Sequence, residues 1–185
     1  MAHVIPGRFA AQADERFVVF LIGMRINRFF AFTKWVPTAL AMGPMLRTLS
    51  QHPEKGFLGA HTMLSWRGVT SVQYWRSFED LERFSRNTED PHWNAWRRFS
   101  RVVGYKDGSV GIWHETYVVE PGHYEAIYGN MPLFGLAAAT RQVPATGRRE
   151  TARRRLEQGE EPAVPSASDA MPSPAAELPD SSEAR

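Results

Sequence analysis

The chain has 185 residues, of which 22 are Lys or Arg, 20 are Asp or Glu and 43% are hydrophobic. This composition is typical of a globular protein with about one domain. The sequence contains no cysteine, which excludes disulfides, thiolate catalysis and cysteine-bound metals.

The aromatic residues divide the chain into two unequal parts. All 22 of them lie between Phe9 and Phe134. Residues 145–185 instead contain six Arg, eight Asp or Glu and five Pro, in a tract of Ala, Ser, Glu and Pro. Such a segment cannot bury enough apolar surface to offset the entropy lost on ordering. We therefore predict a folded domain at residues 1–144 and a disordered low-complexity tail at residues 145–185.

The charge pattern argues against several kinds of partner. The domain has 16 basic and 12 acidic residues and the tail has 6 and 8, and neither balance is typical of a nucleic-acid-binding protein. The longest apolar run, Phe17 to Met24, is eight residues and too short to span a membrane. No basic start precedes an apolar stretch at the N-terminus. We expect no nucleic acid and no membrane as partners, and a cytoplasmic protein.

The first predicted elements are a strand and a broken helix. Arg16 to Asn27 is rich in β-branched and aromatic residues and apolar at both alternating sets of positions, which indicates a strand covered on both faces. Apolar residues at helical spacing predict a helix between Pro37 and His52, with Pro37 in its first turn. Pro44 should kink or restart this helix.

A hairpin and two further helices follow. Phe57 to Leu64 and Thr70 to Arg76 indicate two strands joined by a turn through Arg67 and Gly68. The start signals for the helices are a capping box at Ser77 and Asp80 and an N-cap with a first-turn proline at Asp90 and Pro91; Gly104 is the predicted stop.

The remaining segments complete a known strand order. Ser109 to Val119 indicates a last strand, and Tyr124 to Ala139 is predicted as a loop and short helix. The whole order is the α+β, ferredoxin-like βαββαβ plan, in which helices cover one sheet face. Because the first strand is apolar on both faces and no internal repeat supplies another sheet, a second copy of the chain is expected to complete a dimeric α+β barrel.

The last strand contains the most reactive combination of side chains. In Trp113 to Tyr117, alternation places His114 and Glu115 on opposite faces. A buried imidazole at His114 can act as a general base, an oxygen-anchoring donor or an iron ligand. A core histidine with one hydrogen bond is the alternative. His92 is the second candidate, because a helix start favours neutral imidazole; a surface histidine is its alternative.

The usual catalytic motifs are missing from the sequence. It has no HExxH or other metal-binding spacing, no GxGxxG, no P-loop and no GxSxG. An aromatic-lined cavity for a hydrophobic small molecule remains as the hypothesis. Ordinary core, dimer interface or solvated surface is the alternative for its members taken singly. The candidates are Arg25, Asn27, Trp66, Tyr74, Trp96, His114 and Tyr117.

Four strings of residues resemble a known family. They are IGMRIN (Ile22 to Asn27), QYWRSFEDLERF (Gln73 to Phe84), WHETY (Trp113 to Tyr117) and YEAIYGNMPLFGLA (Tyr124 to Ala137). The chain resembles, over roughly Gln12 to Arg141, the fumagillin-type monooxygenase-like proteins, a family also catalogued as a domain of unknown function within the dimeric α+β barrel superfamily. The resemblance implies a homodimeric barrel and an oxygenase activity.

The resemblance leaves three functions open. In a cofactor-free monooxygenase, His114 is the base, Arg25 and Asn27 polarise an oxygen, and aromatic side chains shape the cavity. In a haem enzyme like the aldoxime dehydratases, His114 or His92 is the axial ligand and Arg25 a propionate partner. A non-catalytic dimer that binds a hydrophobic ligand is the third. The aromatic side chains expected at the substrate are Trp66, Tyr74, Trp96 and Tyr117.

Overall fold

The computed structural model describes residues 2–157, and these form an α+β domain with two antiparallel sheets. Two short 3-10 turns lie at Pro53–Lys55 and Gly147–Arg149. The strands are β1 (Ile5–Gln12), β2 (Phe17–Ile26), β3 (Phe57–Ser65), β4 (Gly68–Trp75), β5 (Val110–Val119), β6 (Ile127–Met131) and β7 (Arg141–Pro144). The helices are α1 (Phe32–Leu40), α2 (Met42–Gln51), α3 (Phe78–Arg86), α4 (Pro91–Val102), α5 (Gly104–Asp107), α6 (Gly135–Ala139) and α7 (Ala152–Glu157).

The main sheet contains the four predicted strands in the order β3-β4-β2-β5, so the ferredoxin-like plan is confirmed. One face of this sheet is marked by two residue pairs. Val18 on β2 is paired with Trp75 on β4, and Ile22 on β2 is paired with His114 on β5. This face packs against the helices, where Val18, Leu49 and Trp75 form a fully buried core. We call it the helix face and its reverse the open face.

The first helical segment starts earlier than predicted. Helix α1 begins at Phe32, so Pro37 lies inside it and not in its first turn. The predicted restart near Pro44 is confirmed, because α1 ends at Leu40 and α2 begins at Met42. A proline in the first turn of α2 removes a backbone N–H that has no helical partner there.

The two predicted helix starts differ in how they are capped. Ser77 Oγ accepts a hydrogen bond from the Asp80 backbone N–H at 3.1 Å, as the capping box predicts. Asp90 precedes α4 but caps nothing with its side chain; its carboxylate instead binds Lys55 Nζ at 2.9 Å. The predicted stop at Gly104 lies two residues beyond the end of α4, and Gly104 opens the short helix α5.

A second sheet with the order β6-β1-β7 was not predicted, and it covers part of the open face. Strand β6 lies in the segment predicted as a loop, while α6 is the short helix expected there. Phe17 and Leu136 are buried together between the two sheets. His61 on β3 accepts a hydrogen bond from the Gly135 backbone N–H at 2.8 Å and stacks on Phe134.

Ordered structure continues past the predicted domain end at residue 144. Arg155 on α7 is buried, and its guanidinium donates to the Glu125 carboxylate and to the backbone carbonyls of Arg149 and Glu150. A buried cation with these acceptors orders the segment without aromatic residues. Residues 145–157 therefore correct the predicted tail, and residues 158–185 lie outside the described residues.

No helix within residues 2–157 is long and apolar enough to cross a membrane.

Candidate functional site

A cavity of about 830 Å³ lies between the helix face of the main sheet and the helices. Its size is in the range that holds a small organic molecule. Most of the side chains around it are aliphatic or aromatic, which favours an apolar ligand. The sheet contributes Phe20, Ile22, Met24 and His114, and the helices contribute His92 and Trp96.

We call this space the main cavity, and His114 lies on the wall that the sheet forms. It is exposed and not buried as predicted, because β5 is an edge strand of the sheet. Its ring lies 5.6 Å from the ring of Phe20, and its other neighbours on this face of β5, Ile112 and Thr116, are also exposed. The main cavity therefore opens to solvent along β5, with an imidazole at the opening.

Helix α4 forms part of the opposite wall. His92, Trp96 and Phe99 follow one another at helical spacing and all line the cavity. The rings of Trp96 and Phe99 stack at 6.1 Å with an angle of 24° between their planes. The spacing of this stripe places His92 across the main cavity from the sheet wall.

His92 is half-buried, and its surroundings shift its pKa. Burial lowers its pKa from the ordinary value, and the charge of Asp90 and the Ser85 backbone oppose this shift without cancelling it. Its Nδ1 atom is buried and has no hydrogen-bond partner among the described residues. Because His92 lines the cavity, this buried and unpaired nitrogen lies beside the space that a ligand would occupy.

The structure does not bring Arg25 and Asn27 to the main cavity. Both lie on the open face, because they are an odd number of residues from Ile22 on β2. Arg25 Nη1 donates to Asn27 Oδ1 at 2.5 Å, and Asn27 Nδ2 donates to the Gly108 carbonyl at 3.1 Å. These contacts hold the end of β2 against the start of β5.

Three of the four predicted aromatic residues also lie outside the main cavity, and only Trp96 lines it. Trp66 projects from the β3–β4 turn into solvent. Tyr74 is half-buried on the open face, where burial and the nearby Tyr128 raise its pKa. Tyr117 donates to Glu115 at 2.7 Å on the same face. Strand alternation already excluded Tyr117 from the side of His114.

Polar side chains at the cavity rim were missed by the sequence reasoning. Glu82 and Arg86 on α3 form an ion pair of 2.8 Å and both line the main cavity. Ser71 on β4 is buried and also lines it. The i, i+4 spacing of Glu82 and Arg86 beside the apolar stripe of α3 was the available signal. Among residues 2–157, no group of three or more His, Asp or Glu side chains is placed to hold a metal ion.

Comparison with known proteins supports the family predicted from the sequence strings. The family model described as monooxygenase af470-like matches residues 17–136. The monooxygenase af470 of Aspergillus fumigatus is 27% identical over 152 residues, which is 70% of this chain and 53% of that protein. The chain therefore spans about half the length of this curated relative.

Two solved structures of aldoxime dehydratases share the fold. One, in complex with butyraldoxime, has a TM-score of 0.58 and is 16% identical, and the match covers 71% of this chain and 39% of that chain. The other has a TM-score of 0.59 and is 18% identical, and the match covers 77% of this chain and 43% of that chain. Identities this low show only the common fold. From the family model, which matches well over half of its length, the chain belongs to the monooxygenase af470-like family.

Proposed function

We propose that the chain binds a hydrophobic small molecule in the main cavity and oxidises it with dioxygen. The observation that carries this proposal is the apolar cavity of about 830 Å³ with His114 at its opening. The apolar walls supply binding energy, while the imidazole at the opening supplies an acid–base group. Membership of a monooxygenase-like family supports the oxidative chemistry.

His114 is the proposed base for a cofactor-free reaction. The imidazole of His114 packs against the ring of Phe20 and forms no hydrogen bond with any residue in the range 2–157. Its ring nitrogens are therefore available to accept a proton from the substrate. The substrate is a molecule with an acidic C–H group. Its carbanion reduces dioxygen, a carbon–oxygen bond forms, and loss of water from the peroxide leaves a carbonyl. One CH₂ group and one O₂ molecule thus become one C=O group and one water molecule.

The test is oxygen consumption with anthrone, an oxidisable substrate of this type. Replacing His114 by Ala should slow turnover on the order of 10²- to 10⁴-fold, which is the usual contribution of a positioned base. Replacing the exposed loop residue His123 by Ala is the matched control and should leave turnover unchanged. Full activity in His114→Ala with an intact fold would remove His114 from the mechanism. Anthrone binding without oxygen consumption in the wild type would favour a non-catalytic binding protein.

A haem enzyme is the second candidate, and the unpaired Nδ1 of His92 favours it. An imidazole donor beside an apolar cavity of this size fits an axially ligated haem. His92 would hold the iron, and Arg86, which also lines the cavity, would pair with a propionate. Arg25 lies on the other face and does not serve in this role. Bound haem would supply an iron centre for oxygen or oxime chemistry.

The visible spectrum separates the two candidates. Protein mixed with hemin should show a sharp Soret band if haem is used, and His92→Ala should broaden or abolish that band. The control variant His123→Ala should keep it. A spectrum without a sharp Soret band excludes the hypothesis of a haem enzyme and leaves the cofactor-free reaction as the proposal.

We also propose that the protein is a homodimer joined through the open face. The part of this face around Leu21 is not covered by the second sheet, and the neighbouring Trp113 and Tyr117 are exposed there. A second copy of the same face would bury these side chains.

A further inference from the structure

We propose that one end of the main sheet docks onto the surface of an anionic lipid bilayer. At this end β2 ends, β3 turns into β4 and β5 begins. Four exposed apolar side chains project there, namely Phe30, Leu64, Trp66 and Tyr105, and we call them the aromatic tip. The proposal concerns a binding surface and does not depend on the chemistry proposed for the main cavity.

The aromatic tip is unusual in its exposure. Phe30, Leu64, Trp66 and Tyr105 are 90%, 88%, 89% and 82% exposed, and no other large apolar side chain in residues 2–157 exceeds 80%. Single exposed apolar residues are common on protein surfaces. Four that share one end of a domain mark an interaction site, because their contact with water is unfavourable and they contribute little to folding.

Hydrogen bonds hold the parts of the aromatic tip together. The Ile26 backbone N–H donates to the Arg67 carbonyl at 2.6 Å, and Arg67 Nη2 donates to the Asn27 carbonyl at 3.0 Å. Trp35 Nε1 donates to the Phe29 carbonyl at 3.0 Å. The loop after β2 is thereby fixed beside the β3–β4 turn. Phe30 and Trp66 are therefore carried by two segments that are hydrogen-bonded to each other.

The charge at this end selects an anionic partner. Segments 25–34, 64–67 and 104–107 contain five basic residues and one acidic residue, Asp107. Asp107 is paired with Lys34 at 2.8 Å, and this contact and Ser109 lower its pKa to about 2. The excess of four positive charges lies beside the aromatic tip. The basic residues are Arg25, Arg28, Lys34, Arg67 and Lys106.

Aromatic side chains flanked by arginine and lysine match the surface of a bilayer with anionic headgroups. Trp and Tyr favour the boundary between headgroups and acyl chains, while basic side chains attract anionic lipid. Tyr105 lines the main cavity as well as belonging to the aromatic tip, so a lipid-dissolved ligand would meet the cavity close to the surface. The expectation of no membrane partner was based on the absence of a spanning segment, and surface docking needs none.

The experiment is sedimentation of the full chain with phosphatidylcholine vesicles that contain one-quarter phosphatidylserine. The wild type should bind these vesicles at low salt, bind pure phosphatidylcholine vesicles much less, and dissociate as salt is raised. Replacing both Phe30 and Trp66 by Ser should weaken binding about tenfold or more, because two large apolar groups no longer enter the interface. Arg28→Gln should weaken it about fivefold.

Matched variants test whether these effects are local. Leu133→Ser removes another exposed apolar side chain, and Arg47→Gln removes an exposed arginine of α2 near the opposite end of the sheet. Both should bind vesicles like the wild type, and His114→Ala should also bind, which separates this proposal from the proposed oxygenase. Circular dichroism confirms that each variant is folded.

Three results would overturn the proposal. The first is no binding of the wild type to anionic vesicles at low salt. The second is equal loss in the Leu133→Ser and Arg47→Gln controls. The third is a smaller particle mass of the Phe30 and Trp66 double variant by light scattering without vesicles, since the aromatic tip would then be a contact between copies of the chain.

Discussion

The two faces of the main sheet are built from the same strands but bury their side chains to different degrees. On β4, Gln73 and Trp75 are buried against the helices, whereas Val72 and Tyr74 on the open face are half-buried. Helices α1 to α4 cover the helix face and enclose the main cavity beside its core. The second sheet covers the open face near Phe17 and leaves the region around Leu21 accessible.

The difference suits the two roles that we propose for this sheet. A cavity needs walls that do not collapse, and the helix face supplies them by packing rigid aromatic and aliphatic side chains around it. An association surface needs apolar area that folding leaves accessible, and the open face has it beside Trp113 and Tyr117. We therefore expect stability to depend mainly on one face and assembly on the other.

The largest effect is expected from Trp75→Ala on the helix face. Trp75 is fully buried, and its Nε1 donates to Gln73 Oε1 at 3.1 Å. Removing it leaves a cavity and an unpaired amide oxygen, so the free energy of unfolding should fall by about 4 kcal/mol in urea titration. Tyr117→Ala on the open face should change it by less than about 0.5 kcal/mol. Similar losses in both variants would contradict the contrast between the faces.

A change at the centre of the open face should alter assembly more than folding. Leu21 is paired across the sheet with Glu115, so a lysine at position 21 can pair with this carboxylate within one chain. The same lysine puts a charge on the apolar area that a second copy would bury. Light scattering should show the mass of the wild type halved in this variant. Leu133→Lys, on a loop after β6, is the control and should keep the wild-type mass. A dimer that persists in Leu21→Lys would place the contact elsewhere.

The smallest effect is a dependence of stability on pH, with one histidine packed on each face. Burial lowers the pKa values of His92 and His61 below the ordinary value of 6.5. The unfolded chain therefore binds protons more readily than the folded one. The contribution of the two neutral histidines to the free energy of unfolding is complete above about pH 6.5, and it is lost as the pH falls through their lowered pKa values. Urea titrations between about pH 8 and about pH 5 should show this decline.

Single replacements assign the decline to a face. His92→Gln should flatten the curve on the side of the main cavity, and His61→Gln should flatten it on the side of α6. His123→Gln, at an exposed loop position, should leave the slope of the wild type unchanged. An unchanged slope in both His92→Gln and His61→Gln would show that neither buried imidazole contributes.

The four strands of the main sheet were predictable because each carries a local signal. Alternation and β-branched residues mark β2, and a short turn marks the β3–β4 hairpin. Strand β1 was missed, because Pro6 and Gly7 interrupt its pattern. Strands β6 and β7 have five and four residues, too few for a period to be recognised. Their pairing with β1 is long-range and leaves no local signal.

The candidate site was predictable in part. The helical stripe through His92, Trp96 and Phe99 and the face of His114 follow directly from periodicity. The grouping of His114 with Arg25 and Asn27 did not follow, because alternation along β2 and the register of β5 put them on different faces. Register between strands depends on pairing across the chain, which no single segment encodes.

The sequence by itself determined the family, the order of the main strands and helices, and which residues of a single strand share a side. These properties depend on the periodicity of single segments and on short sequence motifs that can be recognised without the rest of the chain. Only the tertiary structure decided which residues surround the main cavity, that part of the open face is covered by a second sheet, and that Arg155 orders the segment after residue 144. Each of these depends on contacts between segments far apart in the chain, and such contacts form only when the whole domain packs.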